Sequence, residues 1–441
     1  MKERKGMIGR DIVALLLGLL PASGVLAQEP ADSVRPSVWQ APTTIGARYY
    51  ETRVLALDEY VDSWLKGRTS RSVALEARWD TRQMAAEGRA QDAWLPYAKD
   101  YGYPTFTLGL RYNFNHGTTM HRDAADWGEE MEVDYTTRLG DILTLYGRFD
   151  RPLWRTRRLT AGYYLGAGVG YAFSHYDTER HIDNELIGTR ANIYFTAGLY
   201  AAYRLSRHTA LEAGVDFSHH SNGALYRPNK GANYLGPYVG LSYTPQAADD
   251  DRTPATASAA SQDEWRRHPL YLEFSAGLGA KTLSEDWQHT QFQMHPGDPD
   301  YRKSSFALYG AFSLQTDLMW RYARRWASGL GFDVFYGDYA EKVEYWEQTY
   351  KEPQQVSPWS LGIALKHEAF FGRLSVRVGL GYYVYRHMGT NAKEVEQPYY
   401  ERVGLFYTLS RRSGLSVGFS VNAHRTRADF TELQVALPVY L

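Results

Sequence analysis

The sequence predicts an all-β protein: an antiparallel transmembrane β-barrel of about 12–16 strands, of the bacterial outer-membrane type. Three features support this fold class: an export signal at the start of the chain, two-residue alternation of apolar residues, and alternation of short with long connections. The 441 residues include 35 Tyr, 12 Trp and 39 Gly. Such aromatic content is typical of the girdles that flank the apolar band of a membrane barrel.

The first 27 residues have the pattern of a signal peptide. A basic start is followed by the short apolar run from Ile12 to Leu20, and Val25-Leu26-Ala27 resembles a cleavage site. We therefore expect a signal peptide at 1–27 and the barrel at 28–441. The chain has no cysteine, which excludes a lipid anchor on that residue.

Charge and hydropathy narrow the class of protein further. The net charge is −1, which gives no reason to expect a nucleic-acid partner. No later segment has the roughly 18 consecutive apolar residues of a membrane-spanning helix. An exported chain of this kind is either soluble or a membrane barrel.

The segment 161–173 shows the alternation most clearly. One face carries Ala161, Tyr163, Leu165, Ala167, Val169, Tyr171 and Phe173, and the other is mostly glycine. Side chains alternate between the two faces of a strand. Because glycine weakens strands and is rare on a buried sheet face, this pattern favours a lipid-facing wall over a soluble sandwich.

Sixteen segments have strand character. They lie near 45–57, 71–79, 105–114, 142–150, 159–175, 188–204, 208–219, 233–244, 269–280, 305–320, 326–336, 357–369, 373–386, 399–409, 414–424 and 431–441. Their connections alternate between short and long, as periplasmic turns and extracellular loops do. Residues 80–103 and 245–268 break this rule. The second is predicted to be a flexible linker between two halves of the barrel, or a division into two half-length units.

The candidate site lies where strand 208–219 ends. By parity, His219 and Ser221 continue the apolar face of Leu211 and Val215, so both are expected on the outer wall near the rim. Asn233 lies on the same face of the next strand. Polar residues that face lipid are costly and tend to be functional.

These residue types suit ester hydrolysis. An adjacent His can take the proton of a Ser hydroxyl, a third group can fix the imidazole, and donors such as Asn222, Asn229 and nearby backbone N–H groups can hold an oxyanion. Ser221-Asn222-Gly223 is also an ordinary loop signal. The pattern alone therefore does not distinguish a catalytic site from an ordinary loop.

Longer motifs carry a resemblance to a known family. The stretch His219-His220-Ser221-Asn222-Gly223 and the element Pro228-Asn229-Lys230-Gly231 resemble motifs of the PagL-type lipid A deacylase (acyloxyacyl hydrolase) family. Further segments between about 100 and 441 resemble its longer form in Bacteroidetes. The resemblance implies Ser221 as nucleophile, His219 as base and Asn229 at the oxyanion. Asn233 stands where short members of the family have Glu. An amide can hold the imidazole of His219 in place but cannot offset its positive charge as a carboxylate does.

The implied function is an outer-membrane esterase that removes an acyl chain from lipid A, with lipopolysaccharide and outer-membrane lipids as its partners. The alternatives are an outer-membrane phospholipase and a non-catalytic, porin-like barrel. Arg227 and Lys230 are candidate cations for the lipid A phosphates. No metal or cofactor is expected, and His424, Asp429 and Glu432 are interpreted as a structural polar cluster.

Overall fold

The computed structural model describes residues 41–89, 94–122, 136–246, 266–350, 356–425 and 427–441, without the Tyr350 side chain. The predicted signal peptide at 1–27 lies outside these residues. Eighteen strands are described in this part of the chain. Their bounds are β1 Thr44–Val54, β2 Leu65–Asp80, β3 Thr105–Phe114, β4 Thr118–Met120, β5 Thr137–Arg138, β6 Ile142–Arg155, β7 Leu159–Ala172, β8 Ala191–Arg204, β9 Thr209–Ser221, β10 Ala232–Tyr243, β11 Leu270–Lys281, β12 Tyr309–Ala323, β13 Trp326–Gly337, β14 Trp359–Phe371, β15 Leu374–Arg386, β16 Tyr399–Thr408, β17 Ser416–His424 and β18 Arg427–Tyr440.

Sixteen of these strands form two closed antiparallel barrels of eight strands each. In the first barrel, β1 pairs with both β2 and β10, and the order continues through β3, β6, β7, β8 and β9. In the second barrel, β11 pairs with β12 and β18. The short strands β4 and β5 extend the sheet beside β2.

The sixteen predicted strands are thus the barrel strands, but the single barrel over 28–441 is corrected to two. The reason is the pairing of β10 back to β1, which closes the first eight strands before β11 begins. The sequence had left open a division into two half-length units, and the structure has this division. Most of the predicted linker at 245–268 lies outside the described residues, which resume at 266.

Short helices occupy the connections. They are Glu59–Trp64, Thr81–Ala86, Leu95–Asp100, Ser284–Phe292, Ala340–Tyr350 and Gly389–Asn391, followed by a π-helical turn at Ala392–Glu396. In the described part of the chain, no helix is both long and apolar enough to cross a bilayer.

The two faces of the strands differ in polarity, as the alternation predicts. Leu211, Val215 and Leu241 are examples of the apolar side chains exposed on the outer walls. The lumens are filled with buried ion pairs, such as Arg111 Nη1 to Asp216 Oδ2 at 2.7 Å in the first barrel and Lys366 Nζ to Asp333 Oδ1 at 2.7 Å in the second. Barrels of eight strands have interiors just wide enough for side chains, so this fold gives the porin-like alternative no support.

Each barrel has a turn end with mostly short connections and a loop end with mostly long ones. By the outer-membrane pattern the loop end faces outward. The barrels contact each other at both ends. At the turn end, Phe371 packs against Tyr101 and Phe106, with ring centroids 6.1 and 4.9 Å away, and Arg324 Nη1 lies 3.1 Å from Asp100 Oδ2.

An apolar core closes the loop end of the first barrel. Its buried members come from six strands, the helix Glu59–Trp64 and the loops between them: Val54, Val61, Trp64, Leu65, Met120, Leu139, Ile142, Ala172, Leu186, Ile187, Ala232 and Tyr234. Leu186 and Ala232 flank the segments that carry the candidate site. The site is therefore attached to a packed core rather than to a solvated loop.

Candidate active site

His219 and Asn233 lie directly opposite each other in the β9–β10 ladder. The distance from His219 Nδ1 to Asn233 Oδ1 is 2.7 Å. An amide oxygen can only accept a hydrogen bond, so Nδ1 donates the proton. In the neutral imidazole, Nε2 then carries the lone pair, as a general base requires.

A second contact orients the amide. Asn233 Nδ2 donates to Gly231 O at 3.4 Å, which places the Asn233 oxygen, rather than its nitrogen, toward the imidazole. Asn233 is 4% exposed, so water competes little for either bond. The amide can therefore hold one tautomer and one orientation of the His219 ring.

Ser221 is the last residue of β9 and points to the same face as His219, two positions away. Ile193 of β8 is its cross-strand neighbour, and Ser221 is 8% exposed. Among the described residues, no hydrogen bond joins Ser221 Oγ to His219 Nε2. Catalytic hydrogen bonds are often loose without substrate and tighten when it binds.

The two candidate oxyanion residues contact each other. Asn222 N donates to Asn229 Oδ1 at 3.0 Å, so the backbone N–H that follows Ser221 is already engaged. This contact leaves the Asn229 amide nitrogen available as a donor. Asn222 Nδ2 is buried and has no hydrogen-bond partner in the described residues. A buried donor without a partner costs free energy.

Gly231 determines where the imidazole can lie. Its φ is +76°, a left-handed conformation that side chains disfavour. A Cβ at this position would lie 2.5 Å from His219 Cε1. The backbone of the loop therefore packs against the ring, and only glycine leaves room for it.

A buried ionic cluster anchors that loop. Gly231 N donates to Leu186 O, and Lys230 N donates to Glu185 O, both at 3.0 Å. The Glu185 carboxylate binds Arg122 and lies 3.2 Å from Arg302 Nη2. Although burial opposes its charge, Arg122 and Arg302 hold the pKa of Glu185 below its usual value. Arg302 belongs to the second barrel, so both barrels hold the segment that packs on His219.

The second barrel also contacts the segment that follows Ser221. Thr431 Oγ1 donates to Gly223 O at 2.9 Å, and Thr282 N donates to Ala224 O at 2.8 Å. Gly223 and Ala224 both have left-handed backbones, with φ of 64° and 70°. These contacts fix the turn that positions Ser221 and Asn222.

Lys230 and Arg227, the predicted cations for lipid A phosphates, both contact other residues of the protein. Lys230 Nζ lies 3.5 Å from Asp58 Oδ2, and Arg227 Nη2 donates to Thr282 O at 3.4 Å. Burial lowers the pKa of Arg227. These contacts occupy both side chains in the absence of substrate, and their contact with lipid A phosphates stays a prediction.

The cluster at the loop end of the second barrel faces its lumen. His424 Nε2 is 2.8 Å from Tyr383 OH, while Glu432 accepts from Ser313 and Ser420. Among the described residues, Glu396, His424 and Asp429 are close enough together to hold a metal ion. However, Lys281 pairs with Asp429 and Arg386 pairs with Glu396, so these carboxylates already have cations.

Sequence reasoning missed the supporting residues of the site. Glu185 and Arg302 lie in no motif. Thr431 lies in a segment that resembles the family, but its contact with the first barrel has no sequence signal. Gly231 is in the Pro228-to-Gly231 element, but its contact with His219 depends on the path of the loop.

Two family models match the chain. The lipid A 3-O-deacylase (PagL) model matches residues 105–242, and the model of the acyloxyacyl hydrolase C-terminal domain matches residues 270–439. Each match covers strands of one barrel. Together they account for most of the chain, including His219, Ser221 and Asn233.

Solved structures give a more distant likeness. The outer membrane enzyme PagL is 12% identical, with a TM-score of 0.24, over 45% of this chain and 97% of that one. An outer membrane channel from Pseudomonas putida F1 is 9% identical, with a TM-score of 0.20, over 93% of this chain and 100% of that one. Alignments this weak carry no argument about function. A search of curated proteins found no match.

The fold and the family models define an outer-membrane β-barrel of an acyl hydrolase class. More particularly, the chain belongs to the PagL lipid A 3-O-deacylase family, in a form with an acyloxyacyl hydrolase C-terminal domain.

Proposed function

We propose that this protein hydrolyses an ester-linked acyl chain of lipid A, with Ser221 as nucleophile and His219 as general base. The observation that carries the proposal is the 2.7 Å contact from His219 Nδ1 to Asn233 Oδ1. This contact leaves Nε2 to accept a proton on the face that also carries Ser221. The family's printed activity, lipid A 3-O-deacylation, is the same reaction class.

The surroundings of the site suit a lipid substrate. Below it on the outer wall, Val215 and Leu235 are 48% and 41% exposed, and they face the acyl chains of the bilayer. The site lies at the loop end, where the outer leaflet begins. An acyl chain can therefore stay in the membrane while its ester reaches Ser221.

The reaction has two halves that share one covalent acyl-Ser221 intermediate, and in each half His219 takes up one proton and gives it back. Ser221 Oγ attacks the ester carbonyl as His219 Nε2 takes its proton. The Asn229 amide nitrogen and Asn222 Nδ2 donate to the oxyanion. The alkoxide leaves with the proton from His219, and water then hydrolyses the acyl-Ser221 ester by the same steps.

Mass spectrometry of lipid A from a host that expresses the protein tests this function. The wild type should remove one acyl mass, and Ser221→Ala should remove none. Ser218→Ala is the matched control, because Ser218 lies on the same strand but is buried in the lumen face.

Two results would contradict the proposal. One is unchanged lipid A in a folded, membrane-inserted sample, with phospholipid hydrolysis in its place, which would establish the phospholipase alternative. The other is full deacylation by the Ser221→Ala variant.

A further inference from the structure

The turn end of the first barrel opens into a basic cavity. It has a volume of about 460 Å³ and lies between the β6–β7 turn, the β8–β9 turn and the helix Thr81–Ala86. Its arginines are Arg48, Arg78, Arg82, Arg155, Arg157, Arg158, Arg204 and Arg207, and its acids are Asp80, Asp150, Glu87 and Glu212. The cavity is at the opposite end of the barrel from Ser221.

The acids of the cavity already have partners. Glu212 pairs with Arg48 and Arg78, deep in the lumen. Asp150 Oδ1 lies 2.6 Å from Arg148 Nε. Glu87 pairs with Arg89, whereas Asp80 accepts hydrogen bonds from the backbone N–H groups of Arg82 and Gln83.

The rim arginines lack such partners. Within the described residues, Arg82, Arg157 and Arg207 make no ion pair or hydrogen bond with a carboxylate. The guanidinium of Arg155 donates only to Tyr103 O, and that of Arg158 only to Tyr203 OH, each at 3.4 Å. Five cations therefore converge on one concave mouth, and among the described residues none of them forms an ion pair with the acids that line it.

In the second barrel, by contrast, the arginines at a turn have partners. Its β12–β13 turn also carries arginines, but Arg324 pairs with Asp100 at 3.1 Å and Arg321 Nη2 donates to Tyr97 OH at 3.1 Å. Those arginines dock the barrels together. The arginines of the first barrel's mouth have no such docking role in the described structure.

We propose that this mouth binds a phosphate group. Guanidinium groups bind phosphate oxygens in a bidentate manner, and a concave site of one sign concentrates an anion of the other. The mouth opens on the side of the short turns, which is the periplasmic side by the outer-membrane pattern. The phosphate can belong to a lipid headgroup of the inner leaflet or to a soluble phosphate ester.

The test compares two doubly substituted full-length proteins. Arg157→Gln/Arg207→Gln removes two exposed cations from separate turns of the mouth. Arg411→Gln/Arg412→Gln removes two exposed arginines from the β16–β17 turn of the second barrel and is the matched control. Neither pair belongs to the proposed active site or to a contact between barrels.

Two probes distinguish the sources of phosphate. In detergent, calorimetry with pyrophosphate and glycerol 3-phosphate measures binding of a soluble phosphate. In nanodiscs that mix phosphatidylglycerol with phosphatidylcholine, native mass spectrometry measures retention of the anionic lipid.

Either probe supports the proposal if its binding weakens about tenfold in Arg157→Gln/Arg207→Gln and is unchanged in the control. Binding of the soluble probes would show that phosphate alone suffices, whereas retention of phosphatidylglycerol alone would identify a lipid headgroup. The proposal is wrong if neither probe binds, or if both double variants lose binding equally.

Discussion

At the residue scale, Asn233 is the hydrogen-bond partner of His219, the proposed base. Its amide orients His219 through the 2.7 Å contact, but it cannot offset the positive charge that the imidazole gains during attack. A hydrogen bond to a charged acceptor is about twice as strong as a neutral one.

We therefore expect Asn233→Asp to raise kcat several-fold, because the isosteric carboxylate stabilises the imidazolium in the transition state. About 1 kcal/mol of extra stabilisation corresponds to roughly a fivefold faster reaction. Deacylation rates on purified lipid A measure the change. A rate below that of the wild type, in a variant that folds normally, would show that the amide does not act on the imidazole in this way.

The close contact of Gly231 with His219 leads to a prediction about a larger side chain at position 231. Gly231→Ala should lower kcat at least about tenfold, because the new Cβ would meet His219 Cε1 and displace the ring. Gly88→Ala is the control, since Gly88 also has a left-handed backbone (φ 69°) but nothing within 4 Å of a Cβ. Both carry the backbone strain of roughly 1–2 kcal/mol. Equal activity losses in the two variants would rule out the steric account.

The sequence could predict the residues that share a strand face and could not predict those that reach the site from loops. Parity placed His219 and Ser221 on the outer wall, and register placed Asn233 beside His219, because a strand repeats every two residues. The contact of Arg302 with Glu185 follows no local period. It depends on how two barrels dock.

At the scale of elements, the loop after β9 depends on the start of β18. Thr431 donates to Gly223 O, a carbonyl of a buried residue two positions after Ser221. Loss of a partner for a buried carbonyl costs about 1–3 kcal/mol.

Thr431→Val should therefore reduce kcat by about tenfold with a smaller effect on KM, because it loosens the turn without touching the acyl chain. Thr349→Val is the control: its hydroxyl binds Tyr345 O on an exposed outer helix. Steady-state kinetics and thermal unfolding distinguish a local from a global effect. An unchanged kcat in Thr431→Val would mean that the second barrel does not position the site.

The connections show why the number of strands could be predicted from the sequence, whereas the number of closed barrels could not. Alternating short and long connections gave sixteen strands, but the same alternation fits one barrel of sixteen or two of eight. Closure depends on whether β10 pairs with β1 or with β11. The closed first barrel brings distant side chains together across a narrow lumen, such as Arg111 with Asp216, and such contacts follow no local pattern.

On the scale of the whole molecule, contacts at both ends join the barrels. Phe371 packs at the turn end against rings of the first barrel, among them Phe106 and Phe149 at 4.9 and 6.0 Å. At the loop end Arg302 and Thr431 reach the first barrel. The two halves should therefore stay together when the chain between them is cut.

A protease site inserted between residues 250 and 260 tests this cohesion. After cleavage, the wild-type halves should migrate as one species in mild detergent, and Phe371→Ala should lower the temperature at which they separate. Phe419→Ala, which removes a ring from the outer wall, is the control. Separation of the wild-type halves as soon as the chain is cut would contradict the predicted cohesion.

The central claim is that Ser221 is a nucleophile activated by His219. The most direct measurement is covalent trapping with a lipophilic fluorophosphonate, followed by peptide mass spectrometry. We predict one adduct, on Ser221, which is lost in His219→Ala and retained in the lumen variant Ser218→Ala. An adduct on another serine, or equal labelling of Ser221 in the wild type and in His219→Ala, would contradict the account.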